Sequence, residues 1–171
     1  MVTVGSGARL NGLDVKELRT YIDSVGADET AADRAPKVTA RWVGGTRAAV
    51  SSASGGQPVF MGGDDDPSAM GMLLRALAAC DIEVVVTRAT LLGIEIQDLT
   101  IEATGYFNVA SYLGVTAPVS SGYQRASYIV RMKVKDASAA QIEEIRGALD
   151  SSPVGDTFAR AVPVTFELEV T

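Results

Sequence analysis

The sequence predicts an α+β fold in which antiparallel strands pack on two central helices. Alternating apolar and polar residues fall into short segments joined by glycine-rich turns, as at 37–43 and 47–53, which is typical of hairpins. A long apolar segment at 66–92 lacks this alternation and is predicted to be a helix. Groups of strands, rather than single strands, separate the predicted helices. This order favours α+β over a doubly wound parallel sheet.

The first predicted element is an amphipathic helix at residues 12–26, where apolar residues recur at helical spacing. Residues 27–36 are polar and rich in alanine, and Pro36 resists continuation of a helix. We interpret this segment as a linker. The chain therefore divides into an N-terminal helical extension with its linker, residues 1–35, and a main domain, residues 36–171.

The main domain is predicted to begin with short strands that are joined by glycine-containing turns, at 37–43, 47–53 and 58–63. The long helix then runs to about Leu92, with Asp66 as its expected cap and Pro67 in its first turn. Apolar residues cover more than one face of this helix. We therefore expect it to be largely buried, between a sheet and either another helix or a second subunit.

Strand-like alternation resumes in two further segments, at 94–108 and 125–134. The first of these has a break in its alternation near Asp98. A second helix is expected next, with Asp136 or Ser138 as its cap. A final strand is predicted at 162–170, where apolar and polar residues alternate again.

Composition and charge exclude several functional classes. The chain has 171 residues, and its 15 basic and 21 acidic residues give a formal charge of −6 without a basic cluster. A nucleic-acid partner is therefore not expected. The absence of histidine and the single cysteine remove histidine-dependent triads, most zinc sites and an internal disulfide. With no predicted signal peptide or membrane span, we expect a cytoplasmic protein without cofactor, metal or membrane partner.

Several stretches together resemble the OsmC/Ohr family. The segment "DPSAMGMLLRALAAC", residues 66–80, is similar to the central-helix signature of that family, and "SSPVGDTFARAVPVTFELE", residues 151–169, is similar to its closing segment. The segments "LGIEIQDLTIEATGYF", "VKDASAAQIEEI" and "RWVGGTR" resemble a strand, a strand-to-helix turn and the first hairpin. The resemblance covers residues 36–171 and follows the order of the family.

This resemblance implies an OsmC-like fold completed as an intertwined homodimer. It also implies oxidative-stress defence, in which a cysteine pair reduces organic or fatty-acid hydroperoxides with help from a hairpin arginine and a helix glutamate. Cys80 matches the cysteine that attacks the peroxide. Ser152 stands in place of the resolving cysteine, and Gly71 stands in place of the glutamate. Arg47 lies near the position of the hairpin arginine, offset by one residue, and Arg41 is the alternative.

Two roles are open for Cys80. A reactive cysteine must be a thiolate, which needs a nearby positive charge or a helix N-terminus. Because Cys80 lies in the middle of its helix, that charge would have to come from a distant residue such as Arg47. Alternatively, Cys80 is a buried, unreactive thiol among alanine and leucine residues. Ser152 is explained more simply as a cap or turn residue, and the aspartates at 64–66 as capping and solvated groups.

Two functional hypotheses follow. In the first, the protein is a peroxiredoxin-like, single-cysteine hydroperoxide reductase. A small hydrophobic hydroperoxide oxidises Cys80, and an external thiol reductant reduces the sulfenic acid. In the second, the protein has lost catalysis and is a dimeric binding protein, which holds a small hydrophobic ligand in the apolar crevice around Cys80. The surroundings of the sulfur distinguish them, because a guanidinium within hydrogen-bond reach supports activation and a purely apolar shell opposes it.

Overall fold

The computed structural model of the chain describes residues 9–115, 120–160 and 162–170. Within these residues, the strands form three separate antiparallel sheets. The strands are β1 (Arg9–Leu10), β2 (Leu13–Asp14), β3 (Val38–Gly44), β4 (Arg47–Ser52), β5 (Val59–Met61), β6 (Glu95–Phe107) and β7 (Tyr123–Lys135). The helices are α1 (Val15–Ala27), α2 (Ala69–Leu91), α3 (Ala139–Ala148) and α4 (Pro153–Ala159). This combination confirms the α+β class.

The N-terminal extension is helical, as predicted, but α1 begins after Asp14 rather than at residue 12. The residues before it form the β1–β2 hairpin, in which Asn11 and Gly12 have positive φ angles of 51° and 82°. Asp14 caps α1, because its carboxylate accepts hydrogen bonds from two backbone N–H groups of the first turn. The predicted linker at 27–36 contains a 3-10 turn at Glu29–Ala32.

The three strands predicted after the linker are all present, as the sheet β3–β4–β5. Strand β4 lies in the middle of this sheet and pairs antiparallel with both neighbours. No other element of the described chain packs extensively on the sheet. Its apolar side chains are consequently exposed, Trp42 to 74% and Val38 to 65%.

The long strands β6 and β7 form a second antiparallel sheet, and one face of α2 packs on β6. The register of β6 shifts between Ile96 and Asp98, which is the break predicted near Asp98. The hydrophobic core lies where this sheet meets α2 and α3, and its buried residues are Val85, Ala89, Ile94 and Ile145. Full burial of one large aliphatic side chain contributes about 1.5–3 kcal/mol.

Helix α2 begins at Ala69 with Ser68 as its N-cap, since the Ser68 hydroxyl accepts a hydrogen bond from the N–H of Gly71. The prediction that Asp66 caps this helix is wrong. The Asp66 carboxylate instead accepts a charge-assisted hydrogen bond of 2.5 Å from Arg47 of β4. Asp66 therefore binds the guanidinium of a distant strand residue, rather than the free N–H groups at the start of α2.

Few residues of α2 are buried in the single chain. The buried residues on the side toward β6 recur at four-residue spacing, as Leu77, Asp81, Val85 and Ala89. Leu73 and Ile82 lie outside this stripe and are 46% and 37% exposed. Within one chain, α2 therefore packs between the sheet and helices α3 and α4, as expected, but part of its apolar surface stays exposed. No helix of the described chain is long and apolar enough to cross a membrane.

Helix α3 begins with a capping box. The Ser138 hydroxyl accepts a hydrogen bond from the Gln141 N–H, and the Gln141 side chain accepts one from the Ser138 N–H. Ser138, rather than Asp136, is therefore the cap. Asp136 instead has a positive φ of 53° in the turn that follows β7.

The end of the chain differs from the prediction in two ways. Residues Pro153–Ala159 form α4, which the alternation pattern did not predict, with Ser152 as the N-cap. The predicted final strand at 162–170 is wrong for the single chain, because these residues pair with no strand of the described chain. Val164 and Phe166 in this segment are 88% and 92% exposed. An extended segment becomes a strand only when a neighbour satisfies its backbone groups.

Candidate functional site

Cys80 lies in the middle of α2, beside the start of α4. Its Sγ accepts a hydrogen bond from the Ser152 hydroxyl at 3.6 Å. The Ser152 side chain is buried, and its Oγ also accepts a hydrogen bond from the Gly155 N–H at 3.2 Å. Because a hydroxyl has one proton to donate, this arrangement directs it at the sulfur. The prediction that Ser152 caps a helix is confirmed.

Tyr123 holds α4 in place beside α2. Its hydroxyl donates a hydrogen bond of 2.7 Å to the Met70 carbonyl of α2, and its ring lies 5.8 Å from the Phe158 ring of α4. Burial raises the pKa of the Tyr123 phenol above its ordinary value. A side chain at Gly105 would collide with the Tyr123 ring, so the glycine allows this packing.

An open groove of about 290 Å³ begins at Cys80 and runs along one face of α2. Cys80 is partly exposed and lines the groove. The other lining residues come from α2 and from the segment between α3 and α4: Glu83, Val84, Thr87, Arg88, Leu91, Ala148, Ser151 and Pro153. The volume lies at the small end of ligand sites, which span roughly 300–1,000 Å³. The groove is therefore of a size that suits a small molecule in contact with the sulfur.

One acidic and one basic side chain line this groove. Glu83 forms no hydrogen bond or ion pair within the described residues. Arg88 pairs with Glu144 of α3 at 3.4 Å, and the two side chains are 41% and 50% exposed. Exposed pairs of this kind contribute little to stability. Both Glu83 and Arg88 line the same groove as Cys80.

Asp81 lies next to Cys80 in sequence but faces the sheet. It is 0% exposed, and neither of its carboxylate oxygens has a hydrogen-bond partner among the described residues. Burial raises the pKa of the Tyr128 phenol, and the nearby Asp81 carboxylate raises it further. The phenol thus interacts with Asp81 without reaching good hydrogen-bond geometry. A carboxylate is costly to bury in this way.

Arg47 makes its contacts within the first sheet and the loop before α2. Its Nε donates to the Asp66 carboxylate at 2.5 Å, and its guanidinium lies 4.1 Å from the centre of the Phe60 ring. No hydrogen bond joins Arg47 to Cys80 in the part of the chain that the structure describes. The side chain of Arg41, the alternative to Arg47, forms no hydrogen bond or ion pair with any described residue. Assistance to Cys80 from Arg47 stays a prediction.

A family model for OsmC-like proteins matches residues 62–167, which is more than half of the chain. The chain belongs to the OsmC-like protein family. This finding confirms the resemblance inferred from the sequence. The match begins after β5, so it does not include the first sheet or the N-terminal extension. No curated protein sequence matches the chain.

Solved structures of OsmC-like proteins share the fold. An OsmC-like protein from Mycoplasma pneumoniae superposes with a TM-score of 0.61 at 18% identity, over 74% of this chain and 89% of that chain. An organic hydroperoxide resistance protein OsmC from Legionella pneumophila gives 0.53 at 13% identity, over 74% and 90%. An organic hydroperoxide resistance protein from Elizabethkingia anophelis gives 0.52 at 13% identity, over 73% and 88%. At such identities, the likeness shows the fold alone.

In this OsmC-like chain, the structure brings together the two positions that the resemblance assigns to a cysteine pair, Cys80 and Ser152. Sequence reasoning missed the charged groove residues Glu83 and Arg88, although both recur on the helical face of Cys80. It also missed Asp81, whose only signal was an acidic residue within an apolar helical stripe. Within the described ranges, no group of three or more Cys, Asp or Glu side chains could hold a metal ion.

Proposed function

We propose that this OsmC-like protein is a single-cysteine hydroperoxide reductase that serves oxidative-stress defence in the cytoplasm. The observation that carries the proposal is the Cys80 sulfur, hydrogen-bonded by Ser152 at the head of an open groove. Two proteins of similar fold are named for organic hydroperoxide resistance, which supports this class of substrate. The apolar groove residues Val84 and Leu91 suit its organic substituent.

The first half of the reaction oxidises Cys80. The thiolate attacks the terminal oxygen of the hydroperoxide, a sulfur–oxygen bond forms, and the oxygen–oxygen bond breaks. Cys80 becomes a sulfenic acid, while the leaving alkoxide takes a proton from water and departs as an alcohol. The Ser152 hydroxyl, which donates to the sulfur, stabilises its negative charge before the attack.

The second half of the reaction needs a thiol from outside the chain. Ser152 occupies the place of a resolving cysteine, and Cys80 is the sole cysteine of the sequence. An external thiol condenses with the sulfenic acid to form a mixed disulfide and water. A second thiol then releases Cys80 as a thiol.

We propose, in addition, that the protein acts as a homodimer and that Arg47 assists Cys80 within it. The support for Arg47 is its preorganisation, since Asp66 and Phe60 hold the guanidinium in one orientation. Among the described contacts, only its Nε is engaged. Its terminal nitrogens can therefore donate to a thiolate or a peroxide oxygen.

A turnover assay with an organic hydroperoxide and a dithiol reductant tests the proposal. We expect Cys80→Ala to lower the rate by at least about a hundredfold, because removal of a nucleophile costs orders of magnitude. Ser152→Ala should slow the reaction with hydroperoxide by a smaller factor, on the order of tenfold, because it removes one hydrogen bond to the sulfur.

Equal rates in the wild type and in Cys80→Ala would contradict the enzymatic proposal. The apolar part of the groove would then favour the second candidate, a binding protein for a small hydrophobic ligand. Titration with an apolar fluorescent probe would separate that candidate from an inert protein, because a substitution in the groove, Leu91→Asp, should abolish binding.

A further inference from the structure

The groove beside Cys80 has a charged rim, formed by Glu83 and Arg88, that an uncharged hydroperoxide does not need. We propose that this rim binds the reductant, a small thiol that carries both a carboxylate and an ammonium group. This inference rests on the proposed function, because it concerns the second half of the same reaction. It adds the chemical class of the thiol and the residues that recognise it.

The groove is the open side from which a second molecule can reach the sulfur. Ser152, which is buried, lies against the Cys80 sulfur, and Asp81 turns toward the sheet. In the single chain, the groove, in contrast, is open and includes Cys80 in its lining. The alcohol product must therefore leave this space before the thiol enters it. Such an order gives ping-pong kinetics.

The size of the groove limits the reductant to a small molecule. A volume of about 290 Å³ lies at the lower end of the range for small-molecule sites. A thiol of amino-acid size fits such a space, and its sulfur, carboxylate and ammonium lie within a few bonds of one another.

The charges on the rim match those of an amino-acid thiol. Glu83 lies about one helical turn beyond Cys80 and has no partner among the described residues, so its carboxylate can accept from an ammonium group. Arg88 lies about two turns beyond Cys80, and its guanidinium can bind a carboxylate through paired hydrogen bonds. Its contact with Glu144, at 3.4 Å and half exposed, is easily replaced.

The reaction balances with two molecules of this thiol. The sulfenic acid of Cys80 and the first thiol form a mixed disulfide, and the sulfenic oxygen leaves as water. The second thiol attacks the reductant sulfur of the mixed disulfide, so that Cys80 departs as the thiol and a disulfide of the reductant is released. Over the whole cycle, the hydroperoxide is reduced to an alcohol and water while two thiols are oxidised to one disulfide.

The test measures the two half-reactions separately. Cys80 is first oxidised with one equivalent of an organic hydroperoxide, and the sulfenic acid is followed by mass spectrometry. It is then reduced by thiols that carry both charges (cysteine), a carboxylate (3-mercaptopropionate), an ammonium (cysteamine) or neither (2-mercaptoethanol). Each rate is compared between wild type and variant for the same thiol, which cancels differences in intrinsic nucleophilicity.

Arg88→Met is expected to slow reduction by cysteine and 3-mercaptopropionate about tenfold, and to leave the rates with cysteamine and 2-mercaptoethanol unchanged. Glu83→Gln should instead slow reduction by the two thiols with an ammonium group, cysteine and cysteamine. This variant tests the inference independently if Arg88→Met folds poorly. Arg146→Met is the matched control, because Arg146 is an exposed arginine of α3 outside the groove. It should change none of the four rates.

The inference is overturned if the Arg88 and Glu83 variants change all four rates alike or change none. Failure of the proposed function has a different signature, since Cys80 would then not be oxidised by the hydroperoxide in the first step. That result would overturn both. If Cys80 is oxidised but each variant changes its rate of reduction by the same factor for every thiol, the proposed function stands and this inference alone fails.

Discussion

At the scale of single residues, Ser152 shows how one atom changes the available chemistry. Its hydroxyl donates a hydrogen bond to the Cys80 sulfur at 3.6 Å and accepts one from the first turn of α4 as the N-cap. Oxygen in place of sulfur, however, cannot form a disulfide with Cys80. Reduction of an oxidised Cys80 therefore depends on a molecule from outside the chain, which makes the groove as important as the sulfur itself.

Asp81 is a residue with an evident energetic cost. It occupies a position in the buried stripe of α2, between Leu77 and Val85, where an aliphatic side chain would pack favourably. Both of its oxygens lack hydrogen-bond partners among the described residues. Buried polar groups without partners are rare in folded proteins, because desolvation is then uncompensated.

We expect Asp81→Asn to raise the free energy of unfolding by about 1–3 kcal/mol at neutral pH, because it keeps the shape of the side chain and removes the buried charge. Urea unfolding of both proteins measures this difference. Asp65→Asn is the matched control, since Asp65 is an exposed residue of the loop before α2, and its effect should be close to zero. A loss of stability in Asp81→Asn would show instead that the carboxylate is held by a favourable partner.

At the scale of elements, Asn11 joins the N-terminal hairpin to the corner between α2 and β6. Its Nδ2 donates to the Ile94 carbonyl at 2.9 Å and to the Thr90 hydroxyl at 3.1 Å. Its Oδ1 accepts from the Ile96 N–H at 2.9 Å. The Asn11 amide therefore bonds to backbone groups at the junction between α2 and β6. Asparagine also tolerates the positive φ of this position better than most residues do.

Asn11→Ala should lower the free energy of unfolding by roughly 1–3 kcal/mol, because it removes these three part-buried hydrogen bonds. Hydrogen exchange should also become faster in α1, which follows the hairpin directly. Asn108→Ala serves as the control, since Asn108 bonds only to the nearby Ala110 N–H among its described contacts. Equal losses in the two variants would contradict a docking role for Asn11.

At the scale of the whole molecule, the single chain buries little of its apolar surface. The buried hydrophobic residues of the described chain are few: Val15, Leu77, Val85, Ala89, Ile94, Ile145 and Ala148. Meanwhile Trp42 of β3 is 74% exposed, and Phe166 and Leu168 of the C-terminal segment are 92% and 78% exposed. A chain of this length normally covers such side chains. This exposure supports the proposed homodimer.

Sedimentation is expected to give twice the mass of one chain at micromolar concentration. Replacing Phe166 and Leu168 together by aspartate should weaken the dimer by at least about a hundredfold, since charges would then occupy a buried interface. Thr165→Asp is the control on the alternate side of the same segment and should change the association far less. A wild-type monomer would refute the dimer, and an unaffected dimer of the double variant would place the segment outside the interface.

The elements that the sequence predicted well are those with long local patterns. The alternation of β3, β4, β6 and β7 and the apolar length of α2 each extend over enough residues to define a period. Helix α4 was missed because its seven residues span too few turns for a periodic signal. The cap of α2 was misassigned because Asp66 and Ser68 are both good caps, and a distant arginine decided between them.

Some features of the candidate site can be predicted from the sequence, and others depend on the folded structure. The position of Cys80 on a helix, the absence of a second cysteine and the serine at position 152 can all be inferred from a linear string of residues. The neighbours of the sulfur cannot, because Cys80 and Ser152 are 72 residues apart and meet only when α4 folds back on α2. The pairing of Arg47 with Asp66, the burial of Asp81 and the charged groove likewise depend on which distant segments the folded chain brings into contact.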